Sequence, residues 1–293
     1  MMSTTKLINN TSSKLSPFNR KSISSQRKIQ QITDTALFEI RRNVRKFIFL
    51  AIVIIIFHTI STLLFNIQEQ NGMYGENPTI LSYVMTFMFP INILIVIIAI
   101  SFGGSMLVVD FQGNTGNLLF PKISRDRILV GRFIAGMIMS FGLIILFYAV
   151  IGFVTLIKFS EIPNSLWTSL AWALLYMNMN LSFVVLFSSF LKKNSSVVIL
   201  SMLFLLVFFD FVLLLLPFLT TIEPLFIPTY YGKIITGCFN AGDLRSVTVT
   251  IGTTSEMTSW SSPSSVGAVL GMLLFTIIFT TVANFLYKKR QDS

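Results

Sequence analysis

One cysteine and one histidine in 293 residues remove several kinds of chemistry at once. Cys238 has no second thiol with which to form an intramolecular disulfide or to share a metal. His58, standing alone, excludes an H-E-x-x-H zinc site and a Ser-His dyad built with a second, loop-borne histidine. No G-x-x-x-x-G-K-[ST] phosphate loop occurs, so the chain is expected not to be an enzyme and to bind no cofactor itself. Charge is scarce too: 12% of residues are charged, against about 25% in ordinary soluble domains. A cleavable signal peptide is not expected either, because residues 1–46 are mostly polar and precede the first apolar run.

What remains is apolar. Hydrophobic residues make up 53% of the chain and the mean hydropathy is +0.76, which reads as an integral membrane protein. Runs near the ~20 residues needed to cross a bilayer as a helix recur six times: Phe47 to Phe65, Leu81 to Val109, Phe133 to Ile157, Leu166 to Leu191, Val197 to Leu219 and Val266 to Tyr287. The net charge of +10 follows these runs. Ten Lys and Arg precede the first run, four lie between the second and third, two between the fourth and fifth, and three in the tail. Only Lys158, Lys233 and Arg245 fall on the other side. The positive-inside rule then places both termini in the cytoplasm of a multi-pass plasma-membrane protein, and the basic charge requires no nucleic acid.

The expected fold class is an all-α membrane protein with four parts along the chain. Residues 1–28 are Ser-, Thr-, Asn- and Lys-rich and read as a disordered cytoplasmic arm. Residues 29–46 carry Ile29, Ile32, Ala36, Ile40, Val44 and Phe47 at steps of three or four, flanked by Arg41, Arg42, Arg45 and Lys46. That pattern predicts an amphipathic helix, lying along the membrane surface with its cations near anionic head groups or packing on a partner. Residues 47–287 hold the six-helix domain, and 288–293 a cytoplasmic tail. Pro90 is expected to kink the second helix. Between helices five and six, residues 220–265 contain Pro224, Pro228, the run YYGKIITGCF and Trp260. They suit either short apolar pieces dipping into the outer leaflet or a plain exterior loop.

The stretch DFQGNTGNLLFPKISRDRILVGRF, from Asp110 to Phe133, interrupts the apolar pattern between helices two and three. Gly113, Gly116 and Pro121 supply turns around the apolar Leu118, Leu119 and Phe120. Ser124 is placed to N-cap a helix entering the third run, with Asp126 near its positive end. Thr115, Leu118, Leu119, Ile123, Ser124, Arg125, Ile128, Leu129, Gly131 and Arg132 resemble the cytoplasmic hairpin of ABC-2 type transporter permeases. In that family the motif usually reads Gly-Thr, an acidic residue, paired leucines, Pro-Ile-Ser-Arg and Gly-Lys. Here Asn114 stands where the family often has Gly, Gly116 and Asn117 replace apolar and acidic residues, and Lys122 separates Pro121 from Ile123.

The resemblance covers about residues 30–288 in outline. It implies a cytoplasmic coupling hairpin between helices two and three, with Thr115, Leu118, Leu119, Ile123, Ser124 and Arg125 docking on a separate ATP-binding subunit. It also implies re-entrant short helices before helix six, two copies of the ATPase holding ATP and Mg, and a second permease copy or homologue. The expected function is thus the membrane subunit of an ATP-driven exporter, its substrate hydrophobic or amphipathic (a lipid, drug or peptide). An ATP-independent six-span secondary transporter or channel, and a non-transporting membrane scaffold, are the alternatives.

Three residues inside the runs stand out as candidates for a pathway or for linking helices. Asp210, in LLVFFDFVLLLL, is the one acid deep in a run, where an ionisable group faces the bundle or a wet cavity. Asn178 shares a helix face with Ser182, whereas Asn180 points elsewhere, and such groups suit interhelical bonding or substrate contact. His58, on the first run, reads as a bundle residue or a ligand. Gly267 and Gly271 form a GxxxG on the last run, permitting close approach of a neighbour.

Overall fold

The computed structural model describes residues 17–70, 79–111, 125–219, 222–239, 246–251 and 255–289. Six of its helices are long and apolar enough to cross a membrane, as expected of a multi-pass membrane protein. Helices are the natural solution for these runs, since a helix satisfies its own backbone groups where no water can.

α1 (Pro17–Gln70) is a single helix of 54 residues, about 80 Å long at 1.5 Å per residue. It contains neither Gly nor a second Pro to break it, so the boundary placed at residue 47 is a change of composition within one helix. The helix also begins at Pro17, inside the stretch 1–28 read as a disordered arm. The stretch is polar but, from residue 18 on, holds no helix breaker.

The second span is divided, as Pro90 led one to expect. α2 (Ile80–Met88) ends at a turn through Phe89 and Pro90, and α3 (Ile91–Gly103) resumes beyond it. Thr79 caps α2, its hydroxyl accepting from the Ser82 amide at 3.3 Å. After Gly103 the chain turns and forms the short α4 (Val108–Phe111). α5 (Arg125–Phe159) and α6 (Asn164–Phe190) are joined by a tight link at Ser160, whose φ of 57° is left-handed. The fifth span comprises α7 (Asn194–Met202), one π-helical turn at Leu203–Phe208, and α8 (Phe209–Leu219), which contains Pro217. α10 (Ser265–Lys289) is the sixth.

α6 is the axis of the bundle: 61% of its most apolar window is buried, against 17% for α1, for the α7–α8 span and for α10. These three therefore form a periphery that presents apolar side chains outward, among them Phe49, Leu214 and Leu270.

Between the fifth and sixth spans the described residues are not a plain loop. A 3-10 turn at Pro228–Gly232 and α9 (Lys233–Gly237) are tucked into the end of the bundle, with Tyr230, Tyr231 and Ile235 buried. Ser169 on α6 donates to the Ile235 carbonyl at 2.8 Å and in turn accepts from the Tyr148 hydroxyl at 2.8 Å. Tyr231 explains half of the GxxxG pattern. A Cβ at Gly271 would overlap the Tyr231 hydroxyl oxygen, so this glycine admits a tyrosine from the loop segment.

Beside the helices the described residues include one small antiparallel hairpin: β1 (Ser246–Ile251) pairs with β2 (Ser255–Trp260), Ser246 opposite Trp260. The alternating β-branched residues of SVTVTI favour it. Lys233 donates to the Trp260 carbonyl at 3.0 Å, tying the hairpin to the tucked segment.

Candidate functional site

Of the residues assigned to the coupling hairpin, Thr115, Leu118, Leu119, Ile123 and Ser124 lie outside the described residues. Arg125 is the first residue of α5. The first turns of α5 are held against α1 and the end of the second span. α1 and α5 meet closely at Gly131, where a Cβ would lie 2.8 Å from the Ile32 carbonyl and 2.9 Å from Thr35 Cβ. Only a glycine permits that approach without a shift of backbone.

The contact brings the next residue, Arg132, against Glu39. Arg132 Nε lies 2.8 Å from Glu39 Oε1, and Arg132 Nη1 donates to the Met106 carbonyl at 2.6 Å. That carbonyl is available because the α3 helix has already ended. Glu39 also pairs with Arg42 at 2.7 Å, and Asn43 Nδ2 donates to its backbone carbonyl at 3.0 Å. Glu39 and Arg132 are only 3% and 4% exposed. Three elements, α1, the end of the second span and the start of the third, thus share one buried charged cluster. Around it, Arg127 donates to Gln31, and Asp126 pairs with Lys288 of α10 at 2.6 Å. The latter pair is exposed and contributes little, about 0–1 kcal/mol.

This arrangement fits the expected apolar face of the N-terminal helix only in part. Of that stripe Ala36 is buried and Ile32, Ile40 and Phe47 are half-buried, but Ile29 and Val44 are exposed, and Glu39 and Asn43 are buried beside it. An apolar stripe could not reveal the last two, because they are the acid that receives Arg132 and the amide that donates to that acid. The one available signal was Glu39 itself, an acid beside Arg41, Arg42, Arg45 and Lys46.

At the opposite end of the bundle a cavity of about 510 Å³ opens between the second, fourth and fifth spans and the tucked segment. Its polar lining is Asn92, Tyr176, Asp210, Thr229 and Lys233, and its walls include Val96, Leu205 and Leu214. Asp210 reaches it two residues beyond the end of the π-helical turn, which resets the phase of the helix. Lys233 comes from α9 and feels the Asp210 carboxylate. Burial lowers the Lys233 ammonium from its ordinary value, and Asp210 partly opposes that. Asn92 Oδ1 is buried without a hydrogen-bond partner among the described residues. The site therefore combines one acid, one base, a free amide oxygen and apolar walls, a set able to hold a partly apolar molecule by its polar end. Lys233 and Asn92 carried no sequence signal of their own, being one cation in a loop and one amide in an apolar run.

The other sequence candidates do not join this cavity. Two of the polar residues of α6 bond within their own helix: Asn180 Nδ2 donates to the Tyr176 carbonyl at 2.8 Å, and Ser182 donates to the carbonyls of Met179 and Asn178 at 2.7 and 3.1 Å. Asn178 Oδ1 is buried without a hydrogen-bond partner among the described residues. His58 sits in an aromatic cluster with Phe57, Phe87 and Phe147, the last at 4.6 Å between ring centroids. Neither of its ring nitrogens has a hydrogen-bond partner among the described residues. A buried orphan polar group costs about 1–3 kcal/mol, so His58→Phe is expected to leave the thermal unfolding midpoint in detergent unchanged or higher. A clear loss of stability would give the imidazole a role beyond packing. Cys238 donates to the Ile234 carbonyl at 3.2 Å, and burial raises its thiol from the ordinary value, which disfavours the reactive thiolate.

No protein-family model and no curated protein matches this chain.

Proposed function

We propose that this chain is the membrane-spanning permease subunit of an ATP-driven exporter of the ABC-2 type. In this reading it lies in the plasma membrane with both termini in the cytoplasm. The observation that carries the proposal is the buried Glu39–Arg132 cluster at the root of the Asp110–Phe133 segment. A hairpin that receives force from a motor must transmit it to the spans. The cluster binds the third span, the end of the second and the N-terminal helix into one stem that moves together.

The hairpin, through Thr115, Leu118, Leu119, Ile123, Ser124 and Arg125, docks on an ATPase subunit. Two such subunits bind ATP and Mg, since this chain has no phosphate loop. The cavity holding Asp210 and Lys233 lies at the other end of the bundle, which faces the exterior when both termini are cytoplasmic. The tucked helices beside it are the re-entrant element. Its apolar walls and few charges suit a hydrophobic or amphipathic cargo such as a lipid, drug or peptide. The sparsely buried α1, α7–α8 and α10 leave apolar faces for a second permease copy or a homologue.

The test is a pull-down of the detergent-solubilised protein, comparing the wild type with a variant carrying Leu118→Asp, Leu119→Asp and Ile123→Asp. The expected result is an ATPase bound to the wild type and lost from the variant. A well-folded protein that retains no ATPase in either form would favour the secondary transporter or the scaffold.

A further inference from the structure

A second cavity, of about 480 Å³, lies beside α1 where the helix passes from its cationic part into its apolar run. It is formed by three elements: α1, the end of α3 and the start of α7. Its polar lining is Arg45, Lys46, Ser101, Ser105 and Asn194. We propose that this groove is a binding site for the headgroup of an anionic phospholipid.

Charge is the first argument. Two cations line the groove and none of the described acidic residues does. The acid that acts on Lys46, Glu39, is already engaged by Arg42 and Arg132 at 2.7 and 2.8 Å. Among the described residues, no acid is therefore placed in the groove to neutralise its positive charge. Lys46 is also preorganised, its Nζ lying 3.3 Å from Ser105 Oγ and 3.5 Å from the Ser101 carbonyl.

The amides of α7 are the second argument. This span begins at Asn194, and Lys193 provides no side-chain cap, so the first-turn N–H groups and the positive end of the helix dipole face the same region. Asn194 lines the groove, and its Oδ1 is buried without a hydrogen-bond partner among the described residues. A half-turn of that amide exchanges the acceptor for the Nδ2 donor, the group a phosphate oxygen needs.

The walls decide between a lipid and a soluble anion. Below the polar lining the groove is apolar, through Phe49, Leu50, Ile100 and Val198, and Phe49 is 65% exposed. A free phosphate would leave that surface uncovered. An acyl chain covers it, while basic sites at membrane boundaries attract anionic headgroups. The inference holds for any membrane role of the chain and does not depend on the transport reading.

Native mass spectrometry of the detergent-purified protein, titrated separately with phosphatidylglycerol and phosphatidylcholine, tests it. The wild type is expected to bind phosphatidylglycerol about tenfold or more tightly, a difference equivalent to ~1.4 kcal/mol. Lys46→Gln, and more fully the Arg45→Gln/Lys46→Gln pair, should reduce that preference towards parity. Arg41→Gln, a cation on the same helix outside the groove, should retain it. Equal binding of the two lipids by the wild type would overturn the proposal. So would retention of the preference in the double variant, or an equal loss in Arg41→Gln, which would indicate a diffuse basic surface. Displacement of phosphatidylglycerol by millimolar inorganic phosphate would assign the groove to a soluble anion.

Discussion

Arg132→Met is expected to destabilise the folded protein by about 3–5 kcal/mol, the scale set by removing one partner of a buried ion pair. The substitution strands the Glu39 carboxylate, whose side chain is 4% exposed, with Arg42 and Asn43 as its remaining company. It also removes the donor to the Met106 carbonyl. The cost arises mostly from the group left behind. Glu39→Met combined with Arg132→Met should therefore recover much of the loss, because the surroundings include Phe102, Ala135 and Met139 and accept apolar side chains. Thermal or denaturant unfolding of the two single variants and the double variant gives the coupling energy directly. A double variant as unstable as the sum of the singles would show that the two residues act independently. One that regains stability while substrate-stimulated ATPase stays low in the assembled complex would assign the pair to force transmission beyond its part in folding.

The same cluster marks the limit of what the residues disclosed by pattern. Six spans were legible because apolar runs and the length of a membrane-crossing helix are local properties. The break at Pro90 was legible because a missing amide is a property of one residue. The burial of Glu39 and Asn43 on α1 was not, since it is decided by a cation about ninety positions away and adds polar groups beside the apolar residues a stripe would choose. Two polar residues of α6 show a related limit. Asn180 and Ser182 suggested bonds across helices, yet the nearest acceptors are carbonyls three or four residues back in their own helix. Asp210 could be picked out as a lone acid in an apolar run, but its company could not. Lys233 arrives from the tucked segment, and the π-helical turn that precedes Asp210 leaves no trace in hydrophobic periodicity.

Asp210→Asn is expected to reduce ATP-driven transport in a reconstituted complex about tenfold or more, the scale of one lost charge-assisted hydrogen bond to cargo, ~1.5–3 kcal/mol. It should do so with little change in unfolding midpoint. The two effects separate because the carboxylate faces an open cavity: more than a third of Asp210 is exposed, so solvent already screens its attraction to Lys233. Lys233 differs, being more deeply set, with its ammonium also holding the Trp260 carbonyl at 3.0 Å. Lys233→Ala should thus lower stability as well as transport, by detaching the β-hairpin from the tucked segment. Lys233→Met keeps the apolar stem and loses the charge. Comparing these three variants distinguishes a cargo site from a structural contact. Transport unaltered in Asp210→Asn would remove this cavity from the pathway, even if the ATPase is shown to dock at the hairpin. A loss in Asp210→Asn shared by Lys233→Met, with both proteins stable, would mean that the cargo's polar end is held between the two charges. An amphipathic molecule bearing both signs, such as a peptide or a zwitterionic lipid, is the class that such a pair selects.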